Sequence, residues 1–374
     1  MSGLVPTAIL VLAAWAYPRL RPGLRATLAL VLGLFGIVAG IEGAYYTVKR
    51  GPSGDDFTGL LSLAAGALLV GIGLATLWRS RRREGGRARR YARRALIGVG
   101  AFVALFFVLV PFYLTYVFTH VARGFVPPPE LGAEHEEVSF ATADGLRLEG
   151  WYVPSRNRAA VIAFPGRRGP QRQARLLVRH GYGVLLFDRR GEGESEGDPN
   201  IFGWEGERDV HAAVEFLRGR PDVDPDRIGG IGLSVGGEMM IEAAAESDGL
   251  RAVVSEGAGI RSLREAALLE GGARLEAIQF AFFTLGTALF SNDLPPPSLE
   301  DLVGRIAPRP LFLVYARHGQ GGEELNPVFY EAAREPKEIW EIQTGSHTGG
   351  IEAEPEEYER RVIGFFDRAL LRTR

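Results

Sequence analysis

The chain has 374 residues, no cysteine, a formal charge of −2 and 46% apolar residues. This composition excludes a disulfide-stapled scaffold, a thiolate-ligated zinc or iron–sulfur site and a cysteine nucleophile, and it argues against a collagen-like or disordered chain. The charge is unevenly spread: residues 1–122 hold 13 Arg and one Lys against four acids, a balance of +10, and the remainder carries −12.

Four apolar runs come first, Leu4–Tyr17, Ala26–Val48, Phe57–Trp78 and Ala95–Phe118. The last three contain 23, 22 and 24 residues, enough to cross a hydrocarbon core of about 30 Å at about 1.5 Å per helical residue. The first has only 14, but no basic residue precedes it, which argues against a signal peptide. Residues 1–122 are therefore expected to form an α-helical membrane domain of four transmembrane helices. Nine arginines in Arg79–Arg94 and three in Pro18–Arg25 mark cytoplasmic loops, which puts both termini, and all that follows residue 122, on the extracytoplasmic side of a cell membrane. Between two spans, the arginine cluster reads as a topology signal that meets anionic lipid rather than nucleic acid. Glu42, the one acid inside a run, lies near its outer end beside Tyr45 and Tyr46 and reads as interfacial. Gly40/Gly43 and Gly66/Gly71/Gly73 would let helices pack closely.

Residues 123–136, with Pro127, Pro128 and Pro129, form a stiff linker. Beyond it, Glu137–Ala141 and Leu146–Val153 alternate apolar and polar residues around Asp144–Gly145, a hairpin pattern. Buried-type strands then alternate with helices. Strands are expected at Ala159–Phe164, Gly183–Phe187, Arg227–Leu233, Ala252–Ser255, Leu311–Tyr315 and Glu338–Ile342. Helices are expected at Gln171–His180, Trp204–Arg218, Val235–Ala245, Pro327–Arg334 and Glu356–Leu371. The fold class of residues 137–374 is thus α/β, a mostly parallel sheet covered on both faces. Residues 261–305 break the rhythm. Their apolar stretch Ala277–Phe290 has 14 residues, and as a fifth span it would put its flanking strands on opposite sides of the bilayer. It is read as a helical cap that could touch lipid.

Gly232-Leu233-Ser234-Val235-Gly236-Gly237 fits Gly-x-Ser-x-Gly, follows an expected strand and opens an expected helix. Such a turn exposes the Ser234 hydroxyl at a helix N-terminus, where developing negative charge is favoured. A serine nucleophile needs a base. Of six histidines, His347 alone lies on a loop after the last strand, downstream of both the serine and a candidate acid. The acid should follow the Leu311–Tyr315 strand, where Glu323 and Glu324 are the only carboxylates. Spacing does not choose between them; Glu324 is slightly favoured, and Glu256, after the preceding strand, is a third candidate. Backbone N–H groups of Val235 and of Arg167, in the turn after the Ala159–Phe164 strand, are the expected oxyanion donors. The Arg167 and Arg168 side chains read either as a solvated loop pair or as an attraction for an anionic substrate.

At these residues the C-terminal half, about 137–372, resembles the α/β-hydrolase superfamily, and within it the dienelactone-hydrolase and prolyl-oligopeptidase-like serine hydrolases. The resemblance is carried by Gly232–Gly237, the Asp188–Ser195 loop, the Pro165-Gly166 turn and the His347 loop. Two departures stand out: Pro165 replaces a histidine usual before the glycine, and a glutamate replaces the usual aspartate. The resemblance implies hydrolysis of an ester, thioester or amide through an acyl-serine, with no cofactor or metal and with Asp188 structural. It does not cover residues 1–122. Esterase chemistry is favoured over peptidase because no repeated β-blade pattern is present, and membrane attachment makes a small or lipid-like acyl substrate the expected partner. Acyl transfer to an alcohol, or an inactive binding or sensor protein, are the alternatives. Arginine far exceeds lysine, 41 against 2, as in a GC-rich bacterial genome.

Overall fold

The structure, a computed structural model, describes residues 20–50, 54–81, 88–269, 274–291, 293–317 and 319–371. The chain divides into two compact units, Met1–Val110 and Pro111–Arg374. The division falls inside the fourth apolar run, ahead of the proline-rich segment.

In the first unit, α1 (Pro22–Arg50) and α2 (Gly54–Arg81) form an antiparallel-type helical pair in sequence order. They approach closely at Gly33 and Gly66, where an added Cβ would lie 2.7 Å and 2.5 Å from backbone atoms of the other helix. Gly73 also faces α1, whereas Gly71 faces open space. Helix α3 (Ala88–Ala104) continues through a π-helical turn, Leu105–Leu109, into α4 (Val110–His120). Among the described residues one helix, Tyr91–His120, is long and apolar enough to cross a membrane; the shorter apolar helices are Pro22–Leu34 and Leu63–Arg79. The described residues thus support one of the four expected transmembrane helices. One run meets the length criterion, the second and third lie on helices whose described apolar stretches are shorter, and Leu4–Tyr17 lies outside the described residues.

The second unit is built on an eight-stranded sheet: β1 (Glu136–Ala141), β2 (Arg147–Val153), β3 (Ala160–Phe164), β4 (Gly183–Phe187), β5 (Ile228–Leu233), β6 (Ala252–Glu256), β7 (Leu311–Ala316) and β8 (Lys337–Ile342), in the order β1-β2-β4-β3-β5-β6-β7-β8. β1 and β2 pair antiparallel and β2 runs antiparallel to β4; the other neighbours are parallel. Because successive strand side chains point to opposite faces, β3 divides its residues between two cores. Ala160, Ile162 and Phe164 join one, and Val161 and Ala163 the other. The first core is closed by α6 (Glu207–Arg218), α7 (Val235–Glu246) and α11 (Asn326–Ala332), and the second by α5 (Gln171–Arg179) and α13 (Pro355–Phe366). Helix α6 starts three residues later than its apolar pattern suggests. Gly203 and Glu205 both have positive φ, +70° and +63°, which a helix cannot accommodate. The interval after β6 holds α8 (Leu263–Ala266), α9 (Arg274–Ser291) and α10 (Leu299–Val303), and α12 (Gly350–Ala353) follows β8.

Candidate active site

The turn from β5 into α7 is tight, and its neighbours are too close for side chains. Ser234 sits at φ 53°, ψ −126°, a strained conformation for a residue with a Cβ. A Cβ on Gly232 would lie 2.2 Å from the Gly236 carbonyl, and one on Gly236 would lie 2.5 Å from Pro165 Cδ. The Ser234 N–H is anchored on the Glu256 carbonyl at 2.7 Å. Strain of this kind is held by surrounding structure and exposes the hydroxyl at the sheet's carboxyl edge.

His347 reaches Ser234 from the loop after β8, with its Nε2 2.8 Å from Oγ. On its other side, Nδ1 is hydrogen-bonded to Glu323 Oε1. With Nδ1–H donating to the carboxylate, Nε2 is left to accept the serine proton. Glu323 is fully buried, and its second oxygen accepts the N–H of Ala316 at 2.8 Å. Glu323 opens a single 3₁₀ turn, Glu323–Leu325, entered through Gly321 and Gly322, both with positive φ. That turn sends Glu323 inward and leaves Glu324 exposed.

The slight preference for Glu324 is therefore corrected: adjacent residues on a 3₁₀ turn point about 120° apart, and Glu323 is the one aimed at the histidine. Glu256 is no partner of His347 either. Its carboxylate accepts the N–H of Gly350 at 2.9 Å and the hydroxyl of Tyr358 at 2.6 Å, tying β6 to the C-terminal helices. Burial pushes its carboxyl up to about 7.

The oxyanion donors divide. Val235 is the first residue of α7, so its N–H has no intrahelical acceptor. Arg167 is corrected on both counts. Its N–H is donated to Asp188 Oδ1 at 3.0 Å, and its guanidinium, 2% exposed, donates to Asp188 Oδ2 at 2.9 and 2.6 Å and to Glu194 at 2.7 Å. It also lies over the Trp151 ring at 5.2 Å. Paired and enclosed in this way, it is a structural cation of the turn. Arg168 in the same turn is exposed.

Ser234 lines two hollows. One, of about 470 Å³, is walled by His347, Phe118, Phe202, Trp204, Phe280 and Phe283. The other, of about 610 Å³, is a more polar groove that includes Arg168, Gln171, Arg172 and Glu352. Buried charges also meet the first. Glu238 lies one helical turn beyond Ser234 on α7, accepts the N–H of Gly259 at 3.2 Å, and is pushed up to about 7 by burial against the pull of Arg261. Arg261 pairs with Glu242, and Arg189 donates to the Ile201 carbonyl at 3.3 Å. Sequence reasoning missed Glu238, although its i+4 spacing from Ser234 was a usable signal. It also missed Phe118, which nothing local marks out among the aromatics of its run. Among the described residues no cluster of His, Asp and Glu could hold a metal ion.

Comparison with known proteins agrees with this architecture. A family model described as X-Pro dipeptidyl-peptidase (S15 family) matches residues 129–304. An uncharacterized Escherichia coli K12 protein, YfhR, is 26% identical over 293 residues, covering 71% of this chain and 94% of its own. The Pyrococcus furiosus esterase Pf2001 superposes with a TM-score of 0.56 at 26% identity, over 68% of this chain and 98% of that one. The α/β hydrolase GrgF from Penicillium sp. sh18 superposes with a TM-score of 0.54 at 23% identity, over 64% and 100%. The chain has the α/β-hydrolase fold with a mostly parallel sheet, and these likenesses support a hydrolase.

Proposed function

We propose that the chain is a membrane-attached serine hydrolase that cleaves a carboxylic ester, or a related thioester or amide, through an acyl-serine intermediate. The observation that carries the reading is the continuous chain Ser234 Oγ–His347–Glu323, with the histidine bonded at both ring nitrogens. Ser234 attacks the carbonyl carbon while His347 Nε2 takes its proton. The buried Glu323 carboxylate stabilises the imidazolium. The oxyanion is received by the N–H of Val235, with a second donor drawn from the Pro165–Gly169 turn. As the tetrahedral adduct collapses, His347 protonates the leaving group. Water, deprotonated by the same histidine, then attacks the acyl-serine and releases the acid. The two hollows suit a substrate of two characters, an apolar acyl part against Phe202, Phe280 and Phe283 and a polar leaving group in the arginine-lined groove. The length of Tyr91–His120 supports attachment through that helix, and the arginine excess of Arg79–Arg94 supports an extracytoplasmic hydrolase unit.

The match to X-Pro dipeptidyl-peptidases favours a second reading, cleavage of a short peptide. One experiment separates them. A fluorophosphonate probe should label the wild type and not Ser234→Ala, and the unlabelled wild type should turn over p-nitrophenyl butyrate faster than Ala-Pro-p-nitroanilide. A folded wild type that takes no label overturns the serine mechanism; the reverse substrate preference selects the peptidase. Protease added to intact cells should cut the hydrolase unit; protection there, with cutting in inverted vesicles, reverses the orientation.

A further inference from the structure

Helix α9 is apolar on two sides at once. Phe280, Phe283, Thr284 and Thr287 face the cavity that holds Ser234. Ile278, Leu285 and Leu289, at helical spacing on another face, are 48%, 57% and 60% exposed. A soluble cap would expose polar residues there, but Ala277–Phe290 contains no charge at all. With 14 residues the stretch is too short to span a bilayer and has the length of a re-entrant or interfacial segment.

What adjoins α9 identifies its surroundings. It packs on α4, the last turns of the apolar helix Tyr91–His120. Phe290 meets the rings of Phe112 and Tyr116 at 6.1 and 5.6 Å, and a Cβ on Gly286 would lie 2.4 Å from Thr115 Oγ1. The threonine and serine hydroxyls of α4 and α9 are turned onto their own helices. Thr115 donates to Pro111 O, Thr119 to Thr115 O, Thr284 to Phe280 O, Thr287 to Phe283 O and Ser291 to Thr287 O, at 2.7–2.9 Å. Back-bonding of this kind satisfies each hydroxyl within its own helix and leaves the packing between the helices apolar. The chain leaving each helix carries more exposed apolar groups, Val121, Phe125 and Leu294. Finally, Phe118 of α4 is itself a wall of the Ser234 cavity and meets the Phe202 ring at 6.2 Å.

We propose that α9 lies in the bilayer leaflet in which Tyr91–His120 ends, and that the cavity takes the acyl chains of membrane-resident esters across the α4–α9 seam. The inference rests on the serine-hydrolase reading and on Tyr91–His120 being a span. Only one helix thickness, about 10 Å, then separates the lipid from the acyl side of Ser234. The substrate class is an amphiphilic ester that stays in the membrane while it is cut, rather than a solute captured from water.

The native absence of cysteine makes the test direct. Single cysteines at Leu285, Leu289, Val103 and Glu215 in the full chain carry an environment-sensitive bimane, and the protein is reconstituted into phosphatidylcholine vesicles with and without brominated lipid. Blue-shifted, quenched emission is expected at Leu285, Leu289 and Val103, and neither at Glu215. Quenching at Val103 alone overturns the proposal and leaves the span standing; no quenching at Val103 overturns the membrane reading itself. In the same vesicles the wild type should cleave p-nitrophenyl palmitate dissolved in the bilayer and p-nitrophenyl butyrate in water. The double variant Leu285→Glu/Leu289→Glu should keep the butyrate rate within about twofold and lose roughly tenfold or more on palmitate, because charge there is expelled from hydrocarbon. Equal rates of loss, or no loss on either ester, overturn the proposal. A wild type inert to both esters and to fluorophosphonate refutes the hydrolase reading instead.

Discussion

The carboxylate of Glu323 is held from behind by the strand that delivers it: the N–H of Ala316, the last residue of β7, donates to Oε2 at 2.8 Å and leaves Oε1 to His347. The acid is fully buried and holds the imidazole by its Nδ1 side. Glu323→Gln should lower kcat by about 10²- to 10⁴-fold, since an amide can present the wrong group to Nδ1 and favour the wrong tautomer. Glu324→Gln, exposed next to it, should stay within about twofold of wild type. Steady-state hydrolysis of p-nitrophenyl butyrate by both variants checks the assignment; equal losses would remove Glu323 from the triad.

The contrast between these two neighbours marks how far a sequence can be read here. Strand–helix alternation was legible because β3 through β7 are buried-type runs, and the places of Ser234 and His347 were legible because each sits on a specific strand-to-helix turn. The choice between Glu323 and Glu324 was not, because it depends on positive φ at Gly321 and Gly322 rather than on spacing. The loss of the Arg167 N–H to Asp188 was equally hidden, as the partner lies 21 residues away on another strand end. Phe118 was hidden for a different reason: within an apolar run, outward-facing and cavity-facing aromatics look alike.

Asp188 and Arg167 form a buried pair whose value is in shaping the turn beside Ser234. Asp188→Asn should destabilise the hydrolase unit by about 3 kcal/mol, the low end for breaking a buried pair, because Glu194 still neutralises part of the arginine charge. Combining it with Arg167→Met should recover part of that loss, since no buried charge is then left short of a partner. Denaturant unfolding of the two singles and the double forms the cycle. A double variant as unstable as the sum of its singles would mean that the two side chains act independently.

Packing at the nucleophile turn allows no side chain at Gly236. An alanine there would put Cβ 2.5 Å from Pro165 Cδ and 2.6 Å from its nitrogen, both on a rigid ring. Gly236→Ala should therefore cost about 1–3 kcal/mol and should slow fluorophosphonate labelling as Ser234 is displaced. Thermal unfolding and labelling rate are measured on the same sample. Wild-type values for both would show that the turn relaxes freely.

Glu238 predicts a pH dependence whose sign is opposite to that of an ion-paired acid. Its folded pKa is raised by burial to about 7, above the ordinary 4.5. Between those values the folded protein holds a proton that the unfolded chain has released, so stability falls as pH rises from about 4.5 and the loss is complete above about 7. Glu238→Gln keeps the carbonyl oxygen that accepts the Gly259 N–H and removes the titration. Relative to wild type, the variant should gain about 3 kcal/mol between pH 5 and about pH 7, at about 1.4 kcal/mol for each unit of pH, and level off above it. Urea midpoints of the two proteins across that range carry the test, and parallel curves would mean that the carboxyl ionises freely despite its burial beside Ser234.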